Sequence, residues 1–293
     1  MTRRIDLHTH SNASDGTDSP RELIRRAKKL DLAAVALTDH DTLSGLDEAA
    51  EAGEEFGIEL VRGVEVAAHT PHGEAHFLGL WLPSSAPGLE KALGDIRNGR
   101  ALRNKRMLRK LAEGGMPLSM DDVLAEARGE TVARPHIARA LVKRGYVSSV
   151  QEVFATLLGE NMPMYVPRAI PSPKDALAML RAEGALTVFA HPMLLDAPLD
   201  WLDAFTAQLA EAGLDAIEAW HSEHDAAGVR FCVDLAARHG LALSGGSDYH
   251  GSCKPHVRLG SGRGNIRIPW SVLETLRGVL AERDGKGRER HRG

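Results

Sequence analysis

Fourteen of the 293 residues are histidine, and six of these fall within the first 76 positions. Several stand two apart or beside a carboxylate. His8 and His10 bracket one threonine; residues two apart on an extended chain point to the same side, so both imidazoles can reach one metal ion. Asp15-Gly16 follows in a turn. Further on come Thr38-Asp39-His40-Asp41, Gly63-Val64-Glu65, His76, Ala190-His191-Pro192, Trp220-His221 and Gly245-Gly246-Ser247-Asp248-Tyr249-His250, the last holding a second same-side pair. A lone histidine is more often a cap, a core residue or a surface residue than a ligand. The case for chemistry is therefore convergence.

Each of these groups lies at the edge of a strand-like run: Ile5–Leu7, Ala33–Leu37, Glu59–Val66, His76–Trp81, Leu186–Ala190, Ala216–Trp220 and Leu241–Ser244. Helical patterns lie between the runs. Ser19-Pro20-Arg21-Glu22 and Ser172-Pro173-Lys174-Asp175 read as capped helix starts with proline in the first turn, and Gly57, Gly184, Gly213 and Gly240 as helix ends. Such alternation is the mark of βα units and a parallel sheet, here favouring a barrel, incomplete or distorted, over an open sheet. In a parallel barrel the C-terminal strand ends share one rim. That rim would gather His8, His10, Asp15, His40, Glu65, His76, His191, Asp248 and His250. Nitrogen and oxygen ligands in that number, with no thiolate, exceed the needs of one tetrahedral zinc and suit two or three ions, with Mn, Fe or Zn compatible. Clusters of this kind hydrolyse phosphate esters by polarising phosphoryl oxygens and lowering the pKa of a bound water. No nucleophilic side chain is then required.

The alternation breaks between about Pro87 and Pro167, where helical segments follow one another near 89–113, 119–128, 135–144 and 148–158. The pattern divides the chain into a discontinuous barrel domain over 1–86 and 168–281, an inserted helical subdomain over 87–167 and a polar, mobile tail over 282–293. Within the insertion Arg97, Arg100, Arg103, Lys105, Arg106, Arg109 and Lys110 occur with no acid among them. They form either a solvated helix face or a contact surface for phosphates. A net charge of −4 excludes a polycation that coats nucleic acid, and 43 % hydrophobic with 26 % charged residues excludes disorder. Cys232 and Cys253 are too few for a disulfide framework, which suits a reducing cytoplasm. The first residues carry no apolar signal segment and no run has the length of a membrane span, so a cytoplasmic protein without membrane or obligate protein partners is expected.

At His8-Thr9-His10, Asp15-Gly16, Thr38-Asp39-His40-Asp41, Gly63-Val64-Glu65, His76, His191-Pro192 and Ser247-Asp248-Tyr249-His250 the chain resembles the PHP family, the polymerase and histidinol phosphatase superfamily. The resemblance implies an α/β fold, a distorted seven-stranded (β/α)7 barrel with an inserted helical subdomain, and three divalent ions, manganese foremost, with iron or zinc as alternatives. One ion would take His8, His10, Glu65 and Asp248. A second, bridged by Glu65, would add His76 and His191; the third would take Asp15, His40 and His250. Some relatives have His where this chain has Asp15, so the third ion meets a more negative shell. The stretch Thr131-Val132-Ala133-Arg134-Pro135-His136-Ile137-Ala138-Arg139 resembles the small stand-alone bacterial branch. The activity this likeness implies is hydrolysis of the 3′-phosphate of nucleoside 3′,5′-bisphosphates by a metal-bound hydroxide. The alternatives are 5′-to-3′ exonuclease action on short 5′-phosphorylated RNA, with residues 97–110 as a track, and a non-catalytic metal-stabilised binding module. Asp248, His221 and Arg134 are the candidates for the chemistry itself. Arg134 and His136, at a helix start, are read as phosphate clamps, because a guanidinium fork matches phosphate bidentately. His221 and His224 could hydrogen-bond substrate, protonate the leaving alkoxide, or support the ligands. His69 and His72 read as solvent-exposed on a hairpin loop.

Overall fold

The computed structural model describes residues 3–127, 132, 134–159 and 162–290. The chain forms two compact units, residues 1–90 with 171–293, and residues 91–170. Among the described residues the first contains all the strands: β1 (Arg4–Asp6), β2 (Leu32–Leu37), β3 (Glu59–Thr70), β4 (Gly73–Leu80), β5 (Leu186–Ala190), β6 (Ala216–His221), β7 (Ala242–Gly246) and β8 (Ile268–Pro269). They form one sheet in the order β7-β6-β5-β4-β3-β2-β1-β8. The sheet nearly closes into a barrel, because β1 and its extension run beside β7: Leu7 N donates to Gly245 O at 3.2 Å and Asp248 N to His8 O at 2.9 Å. Gly246 is needed at this seam. A Cβ there would lie 2.2 Å from that of His8, well inside contact distance.

Two departures from a uniform parallel barrel matter. First, β4 runs antiparallel to both β3 and β5, while β1–β2, β2–β3, β5–β6 and β6–β7 are parallel. A tight turn at Pro71-His72 joins β3 to β4, and a connection this short can only return the chain antiparallel. Reversal brings His76, midway along β4, beside Glu65, midway along β3, with Ala67 paired to His76 and Glu65 to Leu78. Second, the two-residue β8 pairs antiparallel with β1 as an eighth strand. The expected seven strands are otherwise those observed, within a few residues.

Helices α1 (Pro20–Lys29), α2 (Leu46–Phe56), α7 (Pro173–Ala182), α8 (Leu199–Glu211), α9 (Ala226–His239) and α10 (Trp270–Arg290) complete this unit. Ser19 accepts from Glu22 N and Ser172 from Asp175 N, with Pro20 and Pro173 opening the helices as their sequences require. Strand β2 shows how the layers divide by parity. Ala34 and Ala36 pack with Leu273 and Leu276 of α10, whereas Val35 and Leu37 pack with Leu23 and Ile24 of α1 and Ala49 and Ala52 of α2. Each fully buried leucine contributes roughly 1.5–3 kcal/mol. Helix α10 takes in most of the stretch read as a polar tail; residues 291–293 lie outside the described ones.

Residues 91–170 hold most of α3 (Pro87–Glu113), then α4 (Met120–Ala127), α5 (Arg134–Lys143) and α6 (Val150–Val153), the last continued by a wider π turn to Leu158. Met107, Leu111, Val123, Ile137, Leu141, Val153 and Leu158 give this unit a core of its own. No described helix is long and apolar enough to cross a membrane.

Candidate metal centre

The rim is built by backbone pairing carried past the strand ends. Thr38 N donates to Thr9 O, His10 N to Tyr249 O, and Asp41 N to Glu65 O, at 2.8–2.9 Å. Asp39 holds the loop that carries Asp15, accepting from Ser11 N at 2.8 Å, Ser11 Oγ at 2.6 Å and Ser14 Oγ at 2.5 Å. Asp6 ties the opposite side, accepting from Ser247 N at 2.8 Å and Gly260 N at 2.7 Å. His191 and Asp248 have φ of +29° and +54°. Such left-handed conformations cost a non-glycine residue of order 1–3 kcal/mol and tend to cluster where a side chain must be aimed.

At the centre is Glu65, buried, with its two oxygens facing different imidazoles. Oε1 lies 2.8 Å from His76 Nδ1 and 3.0 Å from His191 Nε2. Oε2 lies 3.2 Å from His8 Nε2, 3.1 Å from His10 Nε2 and 3.1 Å from His40 Nδ1. Asp248 Oδ1 is 3.3 Å from His10 and 3.4 Å from His250. Asp15 faces His250 at 3.3 Å and His40 at 3.7 Å. Ligand atoms thus fall into groups lying within 4.8 Å of one another: His8, His10, Glu65 and Asp248; His10, Asp15, His40 and His250; and His40, Glu65 and His76. All the candidate ligands of the sequence meet here, His191 through Glu65 and its ring 5.1 Å from that of His76.

The donor set fits cations better than protons. Five ring nitrogens crowd one carboxylate, yet His10 Nε2 and Nδ1, though buried, make no hydrogen bond of sound geometry. His10 Nε2 lies 3.1 Å from Glu65 Oε2 and 3.3 Å from Asp248 Oδ1 without a hydrogen bond to either, a spacing that matches ligands sharing an ion. The carboxylates are ionised. Burial would raise the pKa of Glu65, but His40, His8 and His76 hold it well below the usual range; burial acts likewise on Asp248, which His10 and His221 keep low. On Asp15, too, burial is outweighed by His40 and His250. Burial disfavours charge on the imidazoles, yet Glu218 and Glu65 hold His8 well above its ordinary value. Proximity to Asp248 and Glu65 overcomes burial at His10, which is pushed up to about 9. At His40 burial prevails and lowers the pKa well below normal; it takes His191 down to about 4.

Two groups at the centre were not singled out in the sequence. Glu218, fully buried mid-strand in β6, places Oε1 3.1 Å and Oε2 3.3 Å from His8 Nδ1, and Oε2 also accepts from His191 N at 2.8 Å. It holds the Nδ1 proton of His8 and so turns Nε2 toward Glu65. The available signal was a lone acid within apolar Ala216-Ile217-Glu218-Ala219, since a buried carboxylate there must have a partner. Lys254 Nζ lies 2.6 Å from Asp248 Oδ2; nothing in its sequence neighbourhood marks it.

The substrate candidates divide. His221 is at the cluster, with its buried Nε2 3.4 Å from Asp248 Oδ2 and no hydrogen bond. His224 is one step out: Nδ1 pairs with Ala219 O at 3.0 Å, its ring is 5.2 Å from that of His221, and its buried Nε2 has no hydrogen bond. Arg134 and His136 belong to the helical unit. The first opens α5 with its guanidinium 5.4 Å from the Tyr165 ring centroid, and the second is buried in that helix; Thr131 and Ala133 lie outside the described residues. Of the basic run, Arg103 is buried against Asn104, so it belongs to no solvated face. His69 is exposed, but His72 is half-buried, Nδ1 3.1 Å from Asp196 O and its ring against Trp201, because the hairpin turn folds onto α8.

An α/β barrel with imidazoles and carboxylates gathered at its rim has the build of a metal-dependent phosphoesterase. Residues 6–157 match the PHP domain. Over 86 % of its length the chain is 34 % identical to a 5′-3′ exoribonuclease of Haemophilus influenzae, covering 92 % of that protein. Over 84 % it is 35 % identical to a 3′,5′-nucleoside bisphosphate phosphatase of Chromobacterium violaceum, covering 87 % of it. A solved structure of a protein from Bifidobacterium adolescentis superposes with a TM-score of 0.74 at 34 % identity, over 94 % of this chain and 96 % of that one. The chain belongs to the PHP-domain family and is a metal-dependent phosphoesterase. The reading as a non-catalytic module is set aside on that ground.

Proposed function

We propose that the protein removes the 3′-phosphate of nucleoside 3′,5′-bisphosphates, working with three divalent ions, manganese foremost. The observation that carries the reading is the division at Glu65: one oxygen toward His76 and His191, the other toward His8, His10 and His40. A carboxylate so placed suits a bridge. His8, His10, Glu65 and Asp248 would hold one ion, Glu65, His76 and His191 the second, and Asp15, His40 and His250 the third. When bound, the ions would polarise the phosphoryl oxygens and lower the pKa of a water. The chain's own residues do the rest. His221, with a buried Nε2 lacking a hydrogen bond, is placed to donate a proton to the leaving oxygen, and His224 to support it. Arg134 and His136 are the proposed contacts to the substrate's phosphates, the guanidinium offering a bidentate fork. Cys232 and Cys253 are not joined in a disulfide, which suits a reducing cytoplasm.

A second reading, exonuclease action on short 5′-phosphorylated RNA, is favoured by the exposed Lys105, Arg106, Arg109 and Lys110 on α3. The test is hydrolysis by manganese-loaded protein, read as phosphate release from bisphosphonucleosides, mononucleotides, sugar phosphates and histidinol phosphate, and as mononucleotide release from short 5′-phosphorylated RNA. A bisphosphonucleoside should give the highest kcat/KM. Faster turnover of histidinol phosphate or of RNA ends would reject the proposed substrate.

A further inference from the structure

Lys254 is charged, lies at the centre and is unused in the chemistry above. It follows the turn Gly251–Cys253, and that turn is anchored. Thr17 N donates to His250 O at 3.2 Å, and Ser252 N donates to Thr17 Oγ1 at 2.8 Å. Gly251 has φ +67°, and a Cβ on it would fall 2.1 Å from Thr17 Oγ1, so only glycine allows the chain this close. Past the turn, Val257 N donates to Lys254 O at 2.9 Å. The lysine backbone is thus held beside His250, while its side chain, 39 % exposed, keeps four rotatable bonds of reach.

In this structure the ammonium rests 2.6 Å from Asp248 Oδ2. Asp248 is a shared resource. Its Oδ1 faces His10 at 3.3 Å and His8 at 3.6 Å, and the carboxylate belongs with those rings to a group that can hold an ion. An ion there and Lys254 therefore draw on the same negative charge, and each weakens the hold of the other. A compact ammonium on a long stem, loosened from its carboxylate at the mouth of such a centre, turns to whatever anion arrives. For a phosphoesterase that anion is the phosphoryl group.

We propose that Lys254 is a phosphate-binding residue, parked on Asp248 until an ion takes that carboxylate and then paired with the phosphoryl oxygens of the substrate. The assignment rests on the reading of the rim cluster as the ion centre of a phosphoesterase. It separates from a purely structural salt bridge by sign. A structural pair orients Asp248, so its loss would weaken ion binding; a competing cation, once removed, strengthens it.

The experiment compares metal-free wild type, Lys254→Met and Lys254→Arg by calorimetric titration, first with manganese alone and then with inorganic phosphate after manganese loading. Lys254→Met should bind manganese about tenfold more tightly and phosphate about tenfold more weakly, for one charge removed near both ligands. Lys254→Arg should recover most of the phosphate binding. Phosphate affinity equal to wild type in manganese-loaded Lys254→Met overturns the assignment, as does weaker manganese binding in that variant. Wild type that takes up no manganese overturns the ion-centre reading, and the assignment with it, and is recognised from the wild type alone.

Discussion

Replacing Glu218 by glutamine tests how the ligands are aimed. The carboxylate serves two donors, His8 Nδ1 at 3.1 Å through Oε1 and His191 N at 2.8 Å through Oε2. Glutamine keeps the shape but only one acceptor oxygen, so one donor must face an amide N–H instead. Losing a hydrogen bond to a charged group costs roughly 1.5–3 kcal/mol, and about 1.4 kcal/mol is tenfold in affinity. Manganese binding should fall about 10- to 100-fold, in line with the usual effect of removing an outer partner of a metal ligand. The loss should be selective. His8 and His191 belong to the two proposed ion groups joined at Glu65, whereas Asp15, His40 and His250 form the third. Metal content after dialysis against fixed free manganese should therefore drop without reaching zero, and turnover should drop with it, while circular dichroism stays native. Full manganese content and turnover within about threefold of wild type would refute the view that Glu218 aims these ligands.

Metal-free protein should lose stability as pH rises from the ordinary histidine value of 6.5 toward 9. The folded state favours the proton on His10, whose pKa is raised to about 9, so its contribution is complete below 6.5 and gone above 9. Metal-loaded protein, in which that nitrogen must be neutral, should show no such decline in thermal melts. Charge reversal at exposed Arg106 and Arg109 together should reduce cleavage of short RNA about tenfold and leave a mononucleotide bisphosphate within about twofold; equal loss on both substrates would count against a strand-tracking face. Burial pushes the Cys232 thiol up to about 12, so iodoacetamide at pH 8 should spare it in native protein and reach it after denaturation, as read by mass spectrometry.

Strand positions were legible because β-branched and apolar runs end in polar clusters, and Ser19, Ser172, Gly57 and Gly240 punctuate the helices as local chemistry demands. Strand direction was less so. Thr70-Pro71-His72-Gly73 does read as a hairpin, and a hairpin implies reversal, but the surrounding βα pattern argues for parallel strands and obscures it. The two-residue β8 has no periodicity to detect. At the rim, histidine pairs and strand-end acids announce themselves by spacing. Glu218 does not, being a single residue inside an apolar strand, and Lys254 owes its place to a turn whose geometry depends on a contact with Thr17, more than 230 positions away. Arg103 shows the converse: a run of basic residues suggests one solvated face, yet helical periodicity turns one of its members inward.

The reversal of β4 bears on how the molecule comes together. Glu65 and His76 are joined by a hairpin and separated by only eleven positions, whereas Glu65 and His191 are 126 apart. Short loops close cheaply and early. Two members of the ion cradle, Glu65 and His76, can therefore come together from local sequence alone, before the distant strands bearing His191 and Asp248 dock and the seam at Gly246 shuts, which makes this hairpin a natural seed for assembly.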